Sequence, residues 1–200
     1  MKKTGFPFRK LCPRPAWVAC ILLLAASSAS AAFSPLQIGL GSPDWQLVSE
    51  DTPVIGLRLN LPRSFNDTVA GLDLGILSDD TGTFSGLRLN AVSCSHACNG
   101  IAIALFDMNA FLRGIQIAPI AVACNACGLQ MGLGTDAEEL HGVQIGLFNG
   151  TRAISRSPTV HGLQIGIVNC ARSLHGVQLG LLNIATDSPL PFLPLLRVSF

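Results

Sequence analysis

The sequence predicts an all-β, repeat-built protein of about ten short strands at a period near 14 residues. Three observations carry this. One hexad, Gly-aliphatic-polar-aliphatic-small-aliphatic, recurs along most of the chain, and self-similarity at a fixed short period marks a repeat architecture. Its second, fourth and sixth positions are apolar, the period-two pattern of a strand with one apolar face, whereas a helix would place like residues three or four apart. Short polar segments such as residues 135–139 and 171–173 separate the copies and read as turns. The composition agrees: 49% hydrophobic and 12% charged residues among 200, with 20 glycines, exclude a disordered chain.

Residues 1–31 have the order of a secretory leader. Lys2, Lys3, Arg9, Lys10 and Arg14 precede the apolar run of residues 16–26, and Ala29-Ser30-Ala31 supplies a small-residue cleavage site. The run is too short to span a bilayer as a stop-transfer helix. Cys20 lies inside that run rather than closing it, unlike a lipoprotein cysteine. The expected division is therefore a signal peptide over 1–31, removed on export, and a single β-repeat domain over 32–200. Eight arginines and no lysine then face twelve acids, a net charge of −4. That balance argues against nucleic acid and anionic membrane surfaces as partners.

The repeat opens at Pro35 and then at glycines 56, 71, 86, 100, 114, 128, 142, 162 and 176, at intervals of 21, 15, 15, 14, 14, 14, 14, 20 and 14 residues. Gly142-Val-Gln-Ile-Gly-Leu147 and Gly176-Val-Gln-Leu-Gly-Leu181 are among its clearest copies. Ala102 in the glutamine row and Pro119 at a third aliphatic position interrupt the pattern between Gly86 and Gly128. The last segment alternates through Phe192, Pro194, Leu196 and Val198 and ends on Phe200.

Two assemblies accommodate these strands. In a β-solenoid each unit is one coil, and like residues stack at about 4.8 Å. In an antiparallel up-and-down meander, open or closed into a β-barrel, each unit is one strand and one turn. The row of Gln116, Gln130, Gln144, Gln164 and Gln178 suits in-register stacking, and Arg58, Asp73 and Arg88 alternate in sign along the same row. The solenoid is favoured. In either arrangement the aliphatic positions, among them Leu129, Ile145, Ile165 and Leu179, are expected inside, with Gln144 and Gln164 outside.

The pattern G-[VL]-Q-[IL]-G-[LI]-x-N, the opening blocks Gly56-Leu-Arg-Leu-Asn-Leu61 and Gly71-Leu-Asp-Leu-Gly75, and the ending Leu190-Pro-Phe-Leu-Pro194 resemble a bacterial family of secreted or surface repeat proteins of uncharacterised function. The resemblance covers nearly all of residues 34–200. It implies an exported envelope or surface protein, and it implies no catalytic or cofactor-binding residue.

Candidate chemistry is sparse. Cys94 and Cys98, with Cys124, Cys127 and His96, are ligand types that zinc accepts, while an exported chain favours disulfides at such cysteines. His141, His161 and His175 each precede an opening glycine and would form one row in a solenoid, able to hold a divalent metal or respond to pH. In a meander His161 would sit at the opposite sheet end from His141 and His175. The acids Asp79, Asp80, Asp136, Glu138 and Glu139 read as turn charge rather than a calcium loop. Asn66-Asp-Thr68 and Asn149-Gly-Thr151 match the glycosylation sequon. No hydrolase, P-loop or dinucleotide motif occurs. The expected function is a structural or interaction role in the cell envelope, at the surface or after secretion. It is expected without enzymatic activity or cofactor, and with an unidentified protein or envelope partner. The alternative is a small outer-membrane β-barrel, the one reading that implies membrane association.

Overall fold

The computed structural model describes residues 33–41, 45–150 and 159–199; the expected leader and Phe200 lie outside them. The described chain is a β-solenoid of stacked parallel coils. Strand β1 (Ser34–Gly39) starts the stack, and β2 (Val54–Ile103) winds as one 50-residue run through several coils. β3 (Phe106–Ile117), β4 (Ile120–Met131) and β5 (Gly134–Ile145) each make a coil. The coils beyond divide into β6 (Phe148–Asn149), β7 (Thr159–Ile165), β8 (Val168–Ala171) and β9 (Ser173–Ala185).

Pairing is parallel from β1 to β9, and in register apart from an irregularity between Ser34 and Leu36 where β1 meets β2. Gly114 sits on Gly128, Gly128 on Gly142 and Gly142 on Gly162. The departures at Ala102 and Pro119 do not disturb this register: Ala102 pairs with Gln116, and β3 and β4 match from end to end. The 20-residue interval is absorbed between Gly150 and Thr159, beyond which Glu139 pairs with Thr159. Parallel pairing of consecutive coils excludes the up-and-down meander and the closed antiparallel barrel. The last strand, β10 (Phe192–Ser199), pairs antiparallel with β9 and forms the end of the sheet. A strand carrying Pro194 is a poor template for further pairing, which suits it to a terminal edge.

Each coil encloses a thin interior. Two residues before each opening glycine lies a buried apolar position, running from Val54 through Phe84, Leu112 and Leu140 to Leu174. Smaller buried residues, among them Ala123, Ala137, Ala171 and Ala185, join it in one apolar cluster.

The remaining interior positions are polar, and here the expected inside and outside are reversed. Gln130, Gln144, Gln164 and Gln178 are at most 1% exposed. Ile165 and Leu179 face outward at 36% and 41% exposure, while Leu129 and Ile145 are only half-buried on the same outer face. The physical reason is that an in-register glutamine row satisfies itself. Each side-chain NH2 donates to the Oε1 of the coil before it: Gln130 to Gln116 at 2.8 Å, Gln144 to Gln130, Gln164 to Gln144 and Gln178 to Gln164 at 2.7 Å. A paired amide loses little on burial, whereas an unpaired one is penalised heavily. On the opposite wall of the coil, Asn149 donates to Asn169 at 2.7 Å and Asn169 to Asn183 at 2.8 Å.

This arrangement predicts an inverted mutational pattern. Gln144→Ala leaves Gln130 Oε1 and the Gln164 NH2 without their ladder partners and should cost about 2–4 kcal/mol, each stranded neutral amide group falling in the lower half of the roughly 1–3 kcal/mol range. Ile165→Ala, on the outer face, should cost under about 1 kcal/mol in the isolated chain. Urea denaturation of the two variants measures both.

Candidate functional site

The interior changes chemistry along its length. In the row that carries the glutamines it is ionic at Arg58, Asp73 and Arg88 and amide from Gln116 onward. Arg58, Asp73 and Arg88 come from the glutamine row of their coils and Asp80 from the opposite wall, and all four are at most 3% exposed. Arg58 donates to Asp73 through Nε at 3.0 Å and Nη2 at 2.6 Å, and to Asp80 through Nη1. Arg88 donates to Asp73 Oδ2 at 3.0 Å and to Asp80. Asn60 and Asn90 add donors to Asp73 at 2.6 and 3.0 Å, and the Arg88 guanidinium lies 4.0 Å over the Phe84 ring. Burial alone would raise the Asp73 carboxyl, but Arg58 and Arg88 hold it below the usual carboxylate range. Burial pushes Asp80 up, outweighing the same two cations. The alternating signs at 58, 73 and 88 were legible in the sequence; Asp80 was not, because its contact crosses the coil. With two cations and two anions paired and sealed from solvent, the cluster is structural.

The histidines form the row expected of a solenoid. His141 pairs with His161 and His161 with His175; the rings stack with centroids 4.7 and 4.8 Å apart and interplanar angles of 0° and 22°. Face-to-face stacking keeps the nitrogens at the stacking distance. Two donors on one zinc ion, each about 2.0–2.1 Å from it, would have to lie closer together.

Cys127 precedes His141 in this row. The other cysteines do not join it. Cys98 is buried in the apolar column, its thiol pushed up to about 12 by burial. Cys94 and Cys124 are exposed, and Cys94 is also raised, chiefly by burial of its sulfur surroundings. All five described cysteines are free thiols. Two coils separate the Cys94/Cys98 pair from Cys124/Cys127, about 9–10 Å at the strand spacing, beyond the roughly 4.4–6.8 Å Cα separation that a disulfide spans. The expected disulfide framework therefore does not form between these pairs. Among the described residues no group of His, Cys, Asp or Glu is arranged to hold a metal ion. The acids disperse: Asp80 points inward, Asp79 pairs with Arg63 outside, and Glu138 and Glu139 are exposed. Asn66 and Asn149 of the two sequons are 1% exposed, closed to a glycosylating enzyme.

A cavity of about 190 Å³ lies beside His175, bordered by the Arg172–Asp187 pair at 3.1 Å. It is smaller than the roughly 300–1,000 Å³ of ordinary ligand pockets.

The outstanding surface feature is the outer wall that carries the hexads. The residue after the opening glycine is Leu, Ile or Val in all nine glycine-opened copies, and the residue two further on is Leu, Ile or Met in all nine. The next column is Leu or Ile except at Ala91 and Pro119. In register, these make three parallel aliphatic columns running the length of the stack. Ile101, Ile103, Ile117, Leu133, Ile167 and Leu181 stand 37–62% exposed along them. No charged or aromatic side chain interrupts the columns. The edge just before the opening glycines carries His96, Arg113, Glu138, Glu139, His141 and Arg172 together with the exposed Phe111, and the wall that follows the hexads also exposes Phe106, Met108, Ile120 and Phe148. The solenoid is thus largely polar in its interior and carries continuous aliphatic columns on its outside.

Fold and surface together define a parallel β-solenoid with a self-paired polar interior and an aliphatic outer wall. No family model, no curated protein and no solved structure matches the chain.

Proposed function

We propose that this chain is an exported repeat protein of the cell envelope or cell surface that acts by binding through its aliphatic wall rather than by catalysis. The observation that carries the reading is the pair of unbroken aliphatic columns with a third, interrupted only at Ala91 and Pro119, beside them. Monomeric soluble proteins rarely leave contiguous apolar patches larger than a few hundred Å² uncovered, and repeat arrays use their long regular faces for partners. The residue rows supply repeated copies of one group, whereas catalysis needs unlike groups converging in a pocket. Export is supported by the basic–apolar–small order of residues 1–31. The similarity of the hexad to bacterial surface repeat proteins points the same way.

The test of export is direct. Protein recovered from the envelope or medium should begin at or near residue 32 by N-terminal sequencing. Recovery from the cytoplasm with Met1 intact would refute it.

A further inference from the structure

We infer that the aliphatic wall is a self-association surface, on which a second copy of this chain packs sheet against sheet about a twofold axis. The inference deepens the binding role proposed above by naming the partner.

Its first support is size. From the copy at Gly56 to that at Gly176 the stack rises about 40 Å at the parallel strand spacing, and the first two columns lie about 7 Å apart along the strand, with the third on the corner where the chain bends at 118–119, 132–133, 146–147 and 166–167. With side-chain width and the corner column this is on the order of 500–700 Å² per copy, approaching the ~800 Å² per partner of a standard stable interface. Its second support is period. The wall is ridged by aliphatic side chains at each coil, and only a surface with the same coil spacing meshes with it along its whole length. A second copy has that spacing by construction, and a twofold contact needs one self-complementary patch. Branched and unbranched residues such as Val143, Leu163 and Val177 beside Met131, Ile145 and Ile165 then interdigitate as in face-packed sheets about 10 Å apart.

A lipid surface is the competing occupant, and the wall is poorly made for it. Interfacial binding uses Trp or Tyr at headgroup depth and Lys or Arg toward anionic lipid. The columns contain none of these, residues 32–200 contain no lysine, and their net charge is −4. End-to-end growth is also opposed, since the stack closes on antiparallel β10.

Sedimentation equilibrium of the chain from residue 32, at about 1–100 µM without detergent, tests the inference, since standard-sized interfaces have dissociation constants from about µM to pM. A dimer is expected. The double variant Ile145→Lys, Ile165→Lys, altered on the outer wall, should keep its sheet signature in far-UV circular dichroism and weaken dimerisation at least about 100-fold. Should that variant lose its sheet signature, the unaltered protein decides: its thermal midpoint must rise with concentration if it is a dimer. A monomer throughout this range, a dimer indifferent to the double substitution, or a chain that floats with phosphatidylcholine vesicles as a monomer overturns the inference. None of these outcomes bears on where residues 1–31 send the protein, which N-terminal sequencing reads separately.

Discussion

Gly142→Ala is expected to disrupt the stack at its centre, lowering stability by roughly 3–5 kcal/mol. Gly142 has φ +149°, a backbone conformation that residues with a side chain rarely adopt. A Cβ there would overlap the carbonyl oxygen of Gly128 in the coil below and lie 2.9 Å from its carbonyl carbon. Both are backbone atoms, so no rotamer change relieves the contact; the coils themselves must separate, against the hydrogen bonds that join them. Forced backbone geometry of this kind costs about 1–3 kcal/mol and overpacking about 1–3 kcal/mol more. Gly162 and Gly176 repeat the arrangement, at φ +144° and +152° with the oxygen of the preceding glycine beneath. Gly134 supplies the control. It lies in the same strand, nothing stands within 4 Å of the Cβ position, and Gly134→Ala should change stability by less than about 0.5 kcal/mol. Guanidinium denaturation of both variants distinguishes a required glycine column from a merely repetitive one.

That column was legible in the sequence as a period; the like residues at Gln116, Gln130 and Gln144 favoured in-register stacking, while the opposite charges at Arg58, Asp73 and Arg88 made successive units neighbours without choosing between coil and meander. The histidine row was the solenoid's consequence, and the parallel pairing of His141, His161 and His175 is what the structure shows. What did not follow was the sidedness of the strand. Alternation at Gln144-Ile145 separates two faces without saying which is enclosed, and the ordinary expectation that aliphatics go inside assumes a buried amide has nothing to bond to. In a solenoid the next coil supplies the partner at 2.7 Å, so the interior can be polar and the aliphatics are left facing out. The cysteine readings failed for a related reason. Cys94 and Cys98 are close in sequence, but Cys94 is exposed and Cys98 is buried, and short spacing implies convergence only where the chain turns between the residues. Asp80 was hidden because contacts across a coil leave no period.

Asp73→Asn is expected to be nearly as damaging, at about 3–5 kcal/mol, because it removes a charge from a sealed network and leaves its partners in place. Arg58 and Arg88 both bond Asp73, and the four charged side chains at 58, 73, 80 and 88 are at most 3% exposed. Breaking a buried ion pair by deleting one partner strands the other in a medium that solvates it poorly. An Asn side chain keeps the shape and one acceptor, so the loss reports charge rather than volume. Asp80→Asn should cost less. Burial already pushes the Asp80 carboxyl toward its neutral form, and Asn resembles that form. The two carboxyls also give the unaltered protein a characteristic acid response. Asp80 has its folded-state pKa raised, so acidification through that value toward the ordinary 3.8 adds stability. Asp73 has its folded-state pKa lowered, so the stability it contributes is complete above 3.8 and is lost as pH falls through the lowered value. Urea midpoints measured across the acid range should therefore level or rise slightly toward pH 4 and then drop below it. In Asp73→Asn the drop should shrink, since the group responsible is gone, while in Asp80→Asn the rise should disappear and the drop remain. Equal acid profiles for all three proteins would mean that the ionic cluster is not the sealed four-membered network described.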